Sequence, residues 1–115
     1  MPLLALQTSA PLSDAQRQEL LAPLSKIVAE CIGKPERYVM ITVSQAALLM
    51  AGDAGPAAYA DLRSIGGLSG EVNRALSARV CALLQERIGI SPDRVYLNFT
   101  SLSAANWGCN GNTFG

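Results

Sequence analysis

Apolar and polar positions follow each other along the chain in two rhythms, one typical of strands and the other of helices. Residues 2–8 are mostly apolar and predict a short, largely buried strand, in which proline is tolerated as the first residue. Apolar residues recur at helical spacing over 14–32 and again over 70–88. Strand-forming residues dominate three further segments and complete an order of β-α-β repeated twice: 38–44, 58–65 and 95–100.

Both predicted helices carry signals at their ends. Ser13 and Gln16 have the spacing of a capping box before the first helix. Gly33 ends that helix, and Gly89 ends the second one in the same way. Pro23 lies inside the first helix, where proline costs about 3 kcal/mol in an ideal interior and predicts a kink. Because the apolar stripe continues beyond Pro23, we predict one helix rather than two.

Two segments are predicted to be loops. Residues 51–56 are rich in glycine and proline and separate the two halves of the chain. The tail, residues 106–115, is also loop-like, with Trp107 and Phe114 as its two aromatic anchors.

The two halves resemble each other weakly. A Pro-acid-Arg triplet follows each helix, at residues 35–37 and 92–94, so the triplets lie 57 positions apart. Each triplet closes a helix and opens a strand, which predicts two right-handed β-α-β crossover units in one sheet. We therefore predict an α/β (α+β) fold in a single domain over 1–115. Its two helices cover one face of a four-stranded mixed sheet.

The second face of that sheet is predicted to carry Leu, Val and Ile as well, and nothing in one chain would cover it. Half of the residues are hydrophobic and only 16% are charged, against about 25% in a typical soluble domain. A domain of this size hides only about 65% of its unfolded surface by folding alone. We therefore expect the chain to associate with copies of itself.

Composition excludes several classes of function. Nine basic and nine acidic side chains cancel, so the chain lacks the basic surface that nucleic acid or an anionic membrane requires. The absence of histidine excludes an imidazole base and a His-ligated metal, and we expect no metal and no cofactor. No apolar run approaches the ~20 residues of a membrane span. No signal peptide is evident, so we expect a cytoplasmic protein, with non-classical secretion left open.

The cysteines do not form a disulfide framework, because there are three of them at wide spacing. Cys31 and Cys81 fall on the apolar helix stripes and are predicted to be core thiols. Cys109 lies in the glycine-rich tail, where we expect it to be accessible. This usage favours a reducing compartment.

Pro2 is the most informative candidate for chemistry. Initiator methionine is normally removed before a residue as small as proline, which would leave a secondary amine at the start of a buried strand. An α-amino group titrates near pH 8, and both burial and a nearby cation lower its pKa. A prolyl nitrogen tuned in this way is a neutral base at pH 7. The alternative is that Pro2 merely follows the start codon.

Four further positions could bind a substrate. Lys34 follows a helix stop and could bind a carboxylate, or could simply be a cation at a helix C-terminus. Tyr96 and Asn98 share one strand face and could line a pocket, or could form an ordinary polar face. Ile65 precedes two glycines, which leave backbone N–H groups open to an anion before a helix.

Taken together, these residues resemble the macrophage migration inhibitory factor family, within the tautomerase superfamily. The resemblance covers nearly the whole chain. Its most specific stretch is 90–96 with Asn98, and Met1-Pro2 is short but chemically decisive. The other matching segments are Gly33-Lys34-Pro35, Ser64-Ile65-Gly66, Asn73-Arg74, Ala104-Ala105-Asn106, Asn110 and Thr113-Phe114.

The resemblance implies a homotrimer that catalyses keto–enol tautomerisation of phenylpyruvate-like acids, and also of dopachrome-like compounds, without a cofactor. Pro2 carries over as the catalytic base, and Lys34 and the Ile65 backbone as the groups that hold the substrate carboxylate. Tyr96 and Asn98 would reach in from the neighbouring subunit, so that each site lies at a subunit contact. Trp107 and Phe114 are further candidate substrate-binding residues, in the tail.

Two departures from the family pattern bear on function. The cytokines of the family carry a CxxC motif where this chain has residues 57–60, Ala-Ala-Tyr-Ala, so the thiol oxidoreductase activity attributed to that motif is not expected. Many relatives have Val, Gly and Trp in the tail, where this chain has Trp107, Gly108 and Cys109. The aromatic wall of the pocket has therefore moved or been lost. The alternative to an enzyme is a receptor-binding module of the same fold.

Overall fold

The computed structural model of the chain describes residues 1–115. It contains two long helices, a four-stranded sheet and a short hairpin in the tail, with single-turn 3₁₀ helices at residues 36–38, 92–94 and 104–106. The elements in chain order are β1 (Pro2–Thr8), α1 (Asp14–Ile32), β2 (Met40–Gln45), β3 (Ala58–Ser64), α2 (Gly70–Ile88), β4 (Val95–Ser101), β5 (Gly108–Cys109) and β6 (Asn112–Thr113).

The sheet has the strand order β2-β1-β3-β4. Strand β1 pairs in parallel with β2, and β3 pairs in parallel with β4. The two parallel pairs meet in the centre, where β1 runs antiparallel to β3. Because a helix connects the strands of each parallel pair, the molecule consists of two β-α-β units in one mixed sheet, as the sequence predicted.

Local signals determine where the helices begin and end. The Ser13 side chain accepts a hydrogen bond from the Gln16 N–H at 3.1 Å, and the Gln16 side chain accepts one from the Ser13 N–H at 2.8 Å. This is the predicted capping box. Gly33 and Gly89 end their helices with φ of 76° and 69°, a conformation that glycine adopts without strain. Helix α1 continues through Pro23.

The core lies between the helices and one face of the sheet. Inward-facing residues alternate along the two central strands, and Leu4, Leu6 and Leu62 have no exposed surface. Each helix contributes one apolar stripe to this layer. Cys31 and Cys81 lie half-buried at the edge of the core rather than inside it, and burial raises the pKa of the Cys81 thiol. The buried residues that the helices contribute are Leu20, Leu24, Ile27, Val28, Ile32, Leu76, Val80, Leu83 and Leu84.

The second face of the sheet differs from its prediction. It is uncovered in the single chain, but Leu3 is its one aliphatic branched residue. Period two places the other Leu, Val and Ile residues of the strands on the helix side. The uncovered face is therefore mixed in character, and its other members are Ala5, Gln7, Met40, Thr42, Ser44, Tyr59, Asp61, Arg63, Tyr96, Asn98 and Thr100.

The start of one strand, the assignment of the tail as a loop and the period of the repeat also require correction. Tyr38 lies in the 3₁₀ turn of residues 36–38, and the strand begins only at Met40. The tail is not a plain loop, because residues 108–109 pair with 112–113 in a small hairpin. The structural repeat has a period of 56 residues rather than 57, since α1 begins at 14 and α2 at 70.

The corrected period changes which residues correspond between the units. The 3₁₀ turns occupy 36–38 and 92–94, so the equivalent of Arg94 is Tyr38, and Arg37 corresponds to Asp93. The Pro-acid-Arg triplets are thus one position out of structural register. Pro35 precedes its 3₁₀ turn, whereas Pro92 is the first residue of the other turn.

Neither helix combines the length and the apolar composition that crossing a bilayer demands. No group of three or more Cys, Asp or Glu side chains lies close enough together to hold a metal ion.

Candidate active site

A cavity of about 720 Å³ opens at the start of β1. Its walls come from three parts of the chain: the first residues of β1, the segment 37–40 that leads into β2, and the tail between 102 and 114. Arg63, near the end of β3, completes the lining. Most of the lining residues are hydrophobic, and none is Asp or Glu.

The sheet topology explains why these distant segments meet. Because β1 and β2 are parallel, their first residues lie side by side, with Leu3 opposite Met40. Because β1 and β3 are antiparallel, Pro2 lies opposite Ser64 at the end of β3. The tail returns to the same edge, where the Leu102 N–H donates to the Ser64 carbonyl at 2.9 Å. The start of β1 is therefore surrounded on both sides.

Lys34 is held in a defined position beside this edge. Its Nζ donates a hydrogen bond to the carbonyl oxygen of Ile65 at 2.7 Å, and its side chain is half-buried. Gly67 packs close to the same segment: with φ of 77°, a Cβ added there would lie 2.7 Å from Cγ2 of Ile32, which is a clash, and 3.4 Å from Cε of Lys34, which is an ordinary contact. Glycine at position 67 therefore avoids both backbone strain and a collision with Ile32.

The terminal amine lies next to Lys34. Burial lowers the pKa of the Met1 amine below its ordinary value, and the positive charge of Lys34 and a hydrogen bond with it lower the pKa further. Both effects disfavour the protonated amine. The adjoining Pro2 is buried and lines the cavity. The structure therefore brings Pro2, Lys34 and Ile65 together at one edge of the sheet.

The tail forms an aromatic wall on the cavity. Trp107 and Phe114 both line it, and the Phe114 N–H donates to the Trp107 carbonyl at 3.1 Å across the base of the hairpin. Cys109 lines the same cavity and is exposed. Position 109 itself carries no aromatic ring. One aromatic residue lies on each side of it along the tail, Trp107 before it and Phe114 after it.

Tyr96 and Asn98 are not near this cavity in the single chain. Tyr96 is 66% exposed, and its strand, β4, is separated from β1 by β3. Along the sheet, Tyr96 aligns with Tyr59 and hence with Gln7, five residues from Pro2, or roughly 16 Å at about 3.3 Å per residue. Asn98 aligns with Asp61 and hence with Ala5, three residues from Pro2, and neither Asn98 nor Tyr96 lines the cavity of its own chain.

Sequence reasoning missed the segment that precedes β2. Arg37 and Tyr38 line the cavity together with Val39 and Met40. The signal was present, because two strands joined by a single helix are parallel and begin at the same edge of a sheet. Residues just before the second strand therefore flank the start of the first one. Arg63 and Asn106 were also missed.

Two β-α-β units in one mixed sheet, with a partly buried amine next to a lysine and an aromatic cavity, define an α/β protein of the tautomerase superfamily fold. The chain belongs to the macrophage migration inhibitory factor family, whose model, Macrophage migration inhibitory factor (MIF), matches residues 1–115.

Individual relatives support this assignment. The chain is 39% identical to the macrophage migration inhibitory factor of Meriones unguiculatus, over 99% of each chain. It is similar to the solved structure of a macrophage migration inhibitory factor-like protein from Entamoeba histolytica, with a TM-score of 0.95, 34% identity and 98% of each chain covered. The homologue from Prochlorococcus marinus gives a TM-score of 0.93 and 37% identity, covering 98% of this chain and 99% of the other. Membership in this family supports a tautomerase or cytokine-like role.

Proposed function

We propose that the chain is a cofactor-independent keto–enol tautomerase of aromatic 2-oxo acids such as phenylpyruvate, with Pro2 as the base after removal of Met1. Dopachrome-like compounds form a second proposed substrate class. The observation that carries this proposal is the terminal amine, whose pKa is lowered by burial and by Lys34 at the edge of an aromatic cavity.

Removal of Met1 would shift the amine by one residue, to the nitrogen of Pro2. Pro2 is buried, and it lines the same cavity. Burial and the charge of Lys34, which lower the pKa of the Met1 amine, would act on the prolyl amine as well. A base that is neutral near pH 7 can accept a proton from carbon at that pH.

The proposed reaction moves one proton and breaks no carbon–carbon bond. The Pro2 nitrogen takes a proton from C3 of the keto acid, and the electron pair of that C–H bond forms the C2=C3 double bond. The electrons of the carbonyl bond move to its oxygen, which takes up a proton and gives the enol. That proton comes from the prolyl ammonium, which returns to the neutral amine, so atoms and charge balance. Placed bases of this kind contribute about 10²–10⁴-fold to rate.

Lys34 is the proposed partner of the substrate carboxylate. Its ammonium group has three N–H donors, and one of them is bound to the carbonyl of Ile65. A carbonyl oxygen repels a carboxylate, so the amide N–H of Ile65 is the group of that residue that we propose for the substrate. The positive charge of Lys34 would also stabilise the enolate that forms beside the carboxylate.

We propose that the active assembly is a homotrimer with one site at each subunit contact. The exposed positions of Tyr96 and Asn98, outside the lining of the cavity of their own chain, support this proposal. The expected mass in light scattering is three times 12.1 kDa. A monomer mass at micromolar concentration would contradict it.

The test of the proposed function combines intact-mass measurement with an ultraviolet assay of phenylpyruvate tautomerisation. We expect the mass of a chain without Met1 and measurable turnover. The matched control carries an uncleaved extra residue before Pro2, which converts the prolyl amine into an amide with no basic lone pair. Equal turnover by the two forms would exclude Pro2 as the base.

A receptor-binding role is the second candidate, because curated relatives of this chain carry the name macrophage migration inhibitory factor. The residues at the CxxC position do not favour it, since Ala57, Ala58 and Ala60 are buried in this chain. A receptor pull-down with protein of the Pro2→Gly variant separates the two roles, since a binding module keeps its partner without turnover. A cytoplasmic location stays a prediction.

A further inference from the structure

The cavity has an uneven charge distribution. The chain as a whole has nine basic and nine acidic side chains. The cavity lining nevertheless contains Arg37 and Arg63 and no acidic residue. Lys34 contacts the Met1 amine and adds a third positive charge close to the cavity without lining it. Such a cavity favours anions over neutral ligands.

The two arginines differ in how their charge is satisfied. Nε of Arg63 lies 3.2 Å from Oδ2 of Asp61, in an ion pair on the uncovered sheet face. Arg37 forms no ion pair with a carboxylate within 4.0 Å. Its single side-chain hydrogen bond is donated by Nη2 to the Tyr38 hydroxyl at 3.2 Å. Most of the five N–H donors of the Arg37 guanidinium are therefore unused.

The Arg37 side chain lies beside the Tyr38 ring. The guanidinium carbon is 4.6 Å from the ring centroid, within the distance of a cation–π contact. One N–H of the guanidinium is donated to the Tyr38 hydroxyl, and the others remain available. A guanidinium with free donors is suited to binding a carboxylate through two parallel hydrogen bonds.

We infer that Arg37 binds a second anionic group of the substrate, and that the preferred substrates are 2-oxo acids with a carboxylate at the end remote from the oxo acid. The inference rests on the proposed function, in which Lys34 holds the first carboxylate. The cavity of about 720 Å³ lies within the range of about 300–1,000 Å³ that accommodates extended small molecules. Arg37 thus acts as a specificity-determining residue.

Binding of unreactive probes tests this inference without turnover. Trp107 is the single tryptophan of the chain and lines the cavity, so its fluorescence reports occupancy. The probes are 4-carboxycinnamate and 4-methylcinnamate, which differ only in the distal group. We expect the dicarboxylate to bind about fivefold more tightly to the wild-type protein, a modest factor because Arg37 is exposed. In Arg37→Gln the ratio of the two dissociation constants falls to about one.

Two further variants make the result specific to Arg37. Arg63→Gln removes the same charge from the same cavity and keeps the wild-type ratio, because Asp61 already neutralises Arg63. Arg37→Lys keeps the charge without the planar fork and gives an intermediate ratio. The inference is overturned if the wild-type protein shows no preference, if neither probe changes Trp107 fluorescence, or if Arg63→Gln rather than Arg37→Gln removes the preference. A preserved preference in a protein without tautomerase activity would reject the proposed function alone.

Discussion

The two β-α-β units share one framework but close their connections differently. In each unit, the chain leaves the second strand by the same backbone bond, from Ala46 N–H to the Thr8 carbonyl in one and from Leu102 N–H to the Ser64 carbonyl in the other, both at 2.9 Å. The segment after β2 crosses towards the start of β3, and the tail after β4 crosses towards the start of β1.

The difference lies at one pair of equivalent positions, Arg94 and Tyr38. The Arg94 guanidinium donates to four backbone carbonyls of the 50–56 segment, at 2.9–3.2 Å, and pulls that segment onto the sheet edge. Tyr38 has no guanidinium group that could bind several carbonyls of the tail beside it. A cavity separates Tyr38 from that tail, and both line it. The 50–56 segment, bound by Arg94, stabilises one unit. The tail beside Tyr38 is not bound in this way and leaves room for a ligand in the other unit.

The first residues of β1 and β3 are both buried, but their surroundings differ between the two units. Ala58 corresponds to Pro2 in the repeat of 56 residues, and both are buried. Pro2 faces a cavity that contains aromatic and basic side chains, whereas the start of β3 is closed by the segment that Arg94 binds. The same strand position therefore lines a cavity in one unit and packs under a loop in the other.

The largest expected effect comes from Pro2→Gly. We expect kcat/KM for phenylpyruvate to fall about 100-fold, since the placed secondary amine is lost while a primary amine remains. The matched control is Ala58→Gly, the equivalent substitution in the closed unit, which should leave kcat/KM within about threefold, or ~0.7 kcal/mol. A similarly small effect of Pro2→Gly would show that the two positions are chemically alike, against the comparison.

Arg94→Met should give the largest loss of stability. Four carbonyls lose a charged donor in a half-buried setting, so we expect the free energy of unfolding in urea to fall by about 3 kcal/mol. Asp53→Asn is the control, because the Asp53 carboxylate lies 4.0 Å from Arg94 and its amide replacement still accepts from the Gly55 N–H. We expect that control to cost under about 0.5 kcal/mol. Tyr38→Phe in the other unit should cost less than Arg94→Met, and the reverse order would refute the comparison.

Lys34→Ala should weaken binding and move the pH dependence. We expect KM for carboxylate substrates to rise about tenfold, with a smaller fall in kcat. The charge of Lys34 lowers the pKa of the terminal amine, so its removal raises that pKa and moves the acidic limb of kcat/KM to higher pH. Burial remains as the larger cause, so the pKa stays below its ordinary value. An equal rise in KM for an uncharged ester would show that Lys34 does not bind the carboxylate.

The smallest expected effects come from the tail that encloses the cavity. Trp107→Ala should raise KM for hydroxyphenylpyruvate by a few-fold, since an aromatic contact contributes about 0.5–1.5 kcal/mol beyond its buried area. Cys109→Trp should lower KM by a similar factor, because position 109 lines the same cavity. If only Phe114→Ala changes KM, the aromatic wall consists of Phe114 alone, and the role given to Trp107 is wrong.

Much of the fold could be predicted because its signals are local. The bounds of both helices agree with the capping box at Ser13 and with the stops at Gly33 and Gly89. Strand positions followed from period two, which places Leu4 and Leu6 on one face. The predicted second strand began two residues too early, at Tyr38 instead of Met40. Tyr38 has a high strand propensity, but it belongs to the 3₁₀ turn of residues 36–38. Propensity yields to such tertiary constraints.

The site was less predictable. The resemblance to a family directed attention to Pro2, Lys34 and Ile65, and the structure brings these residues together. Arg37 was interpreted as one of two equivalent arginines, although its structural counterpart is Asp93. The Pro-acid-Arg triplets are offset by one residue from the structural repeat, and this offset is visible in the sequence. Without the pairing of β1 with β2, the extra residue could not be assigned to one of the two turns.

By itself, the sequence determined the helices, their ends and the alternation along the strands, because φ preferences, capping and side-chain period act between neighbours in the chain. Only the tertiary structure decided that β1 and β3 meet in the centre, that Arg94 closes one unit, and that Arg37 and Tyr38 stand beside Pro2. These relations join residues tens of positions apart. Strand register and the packing of helices on the sheet determine them, and no local pattern contains that information.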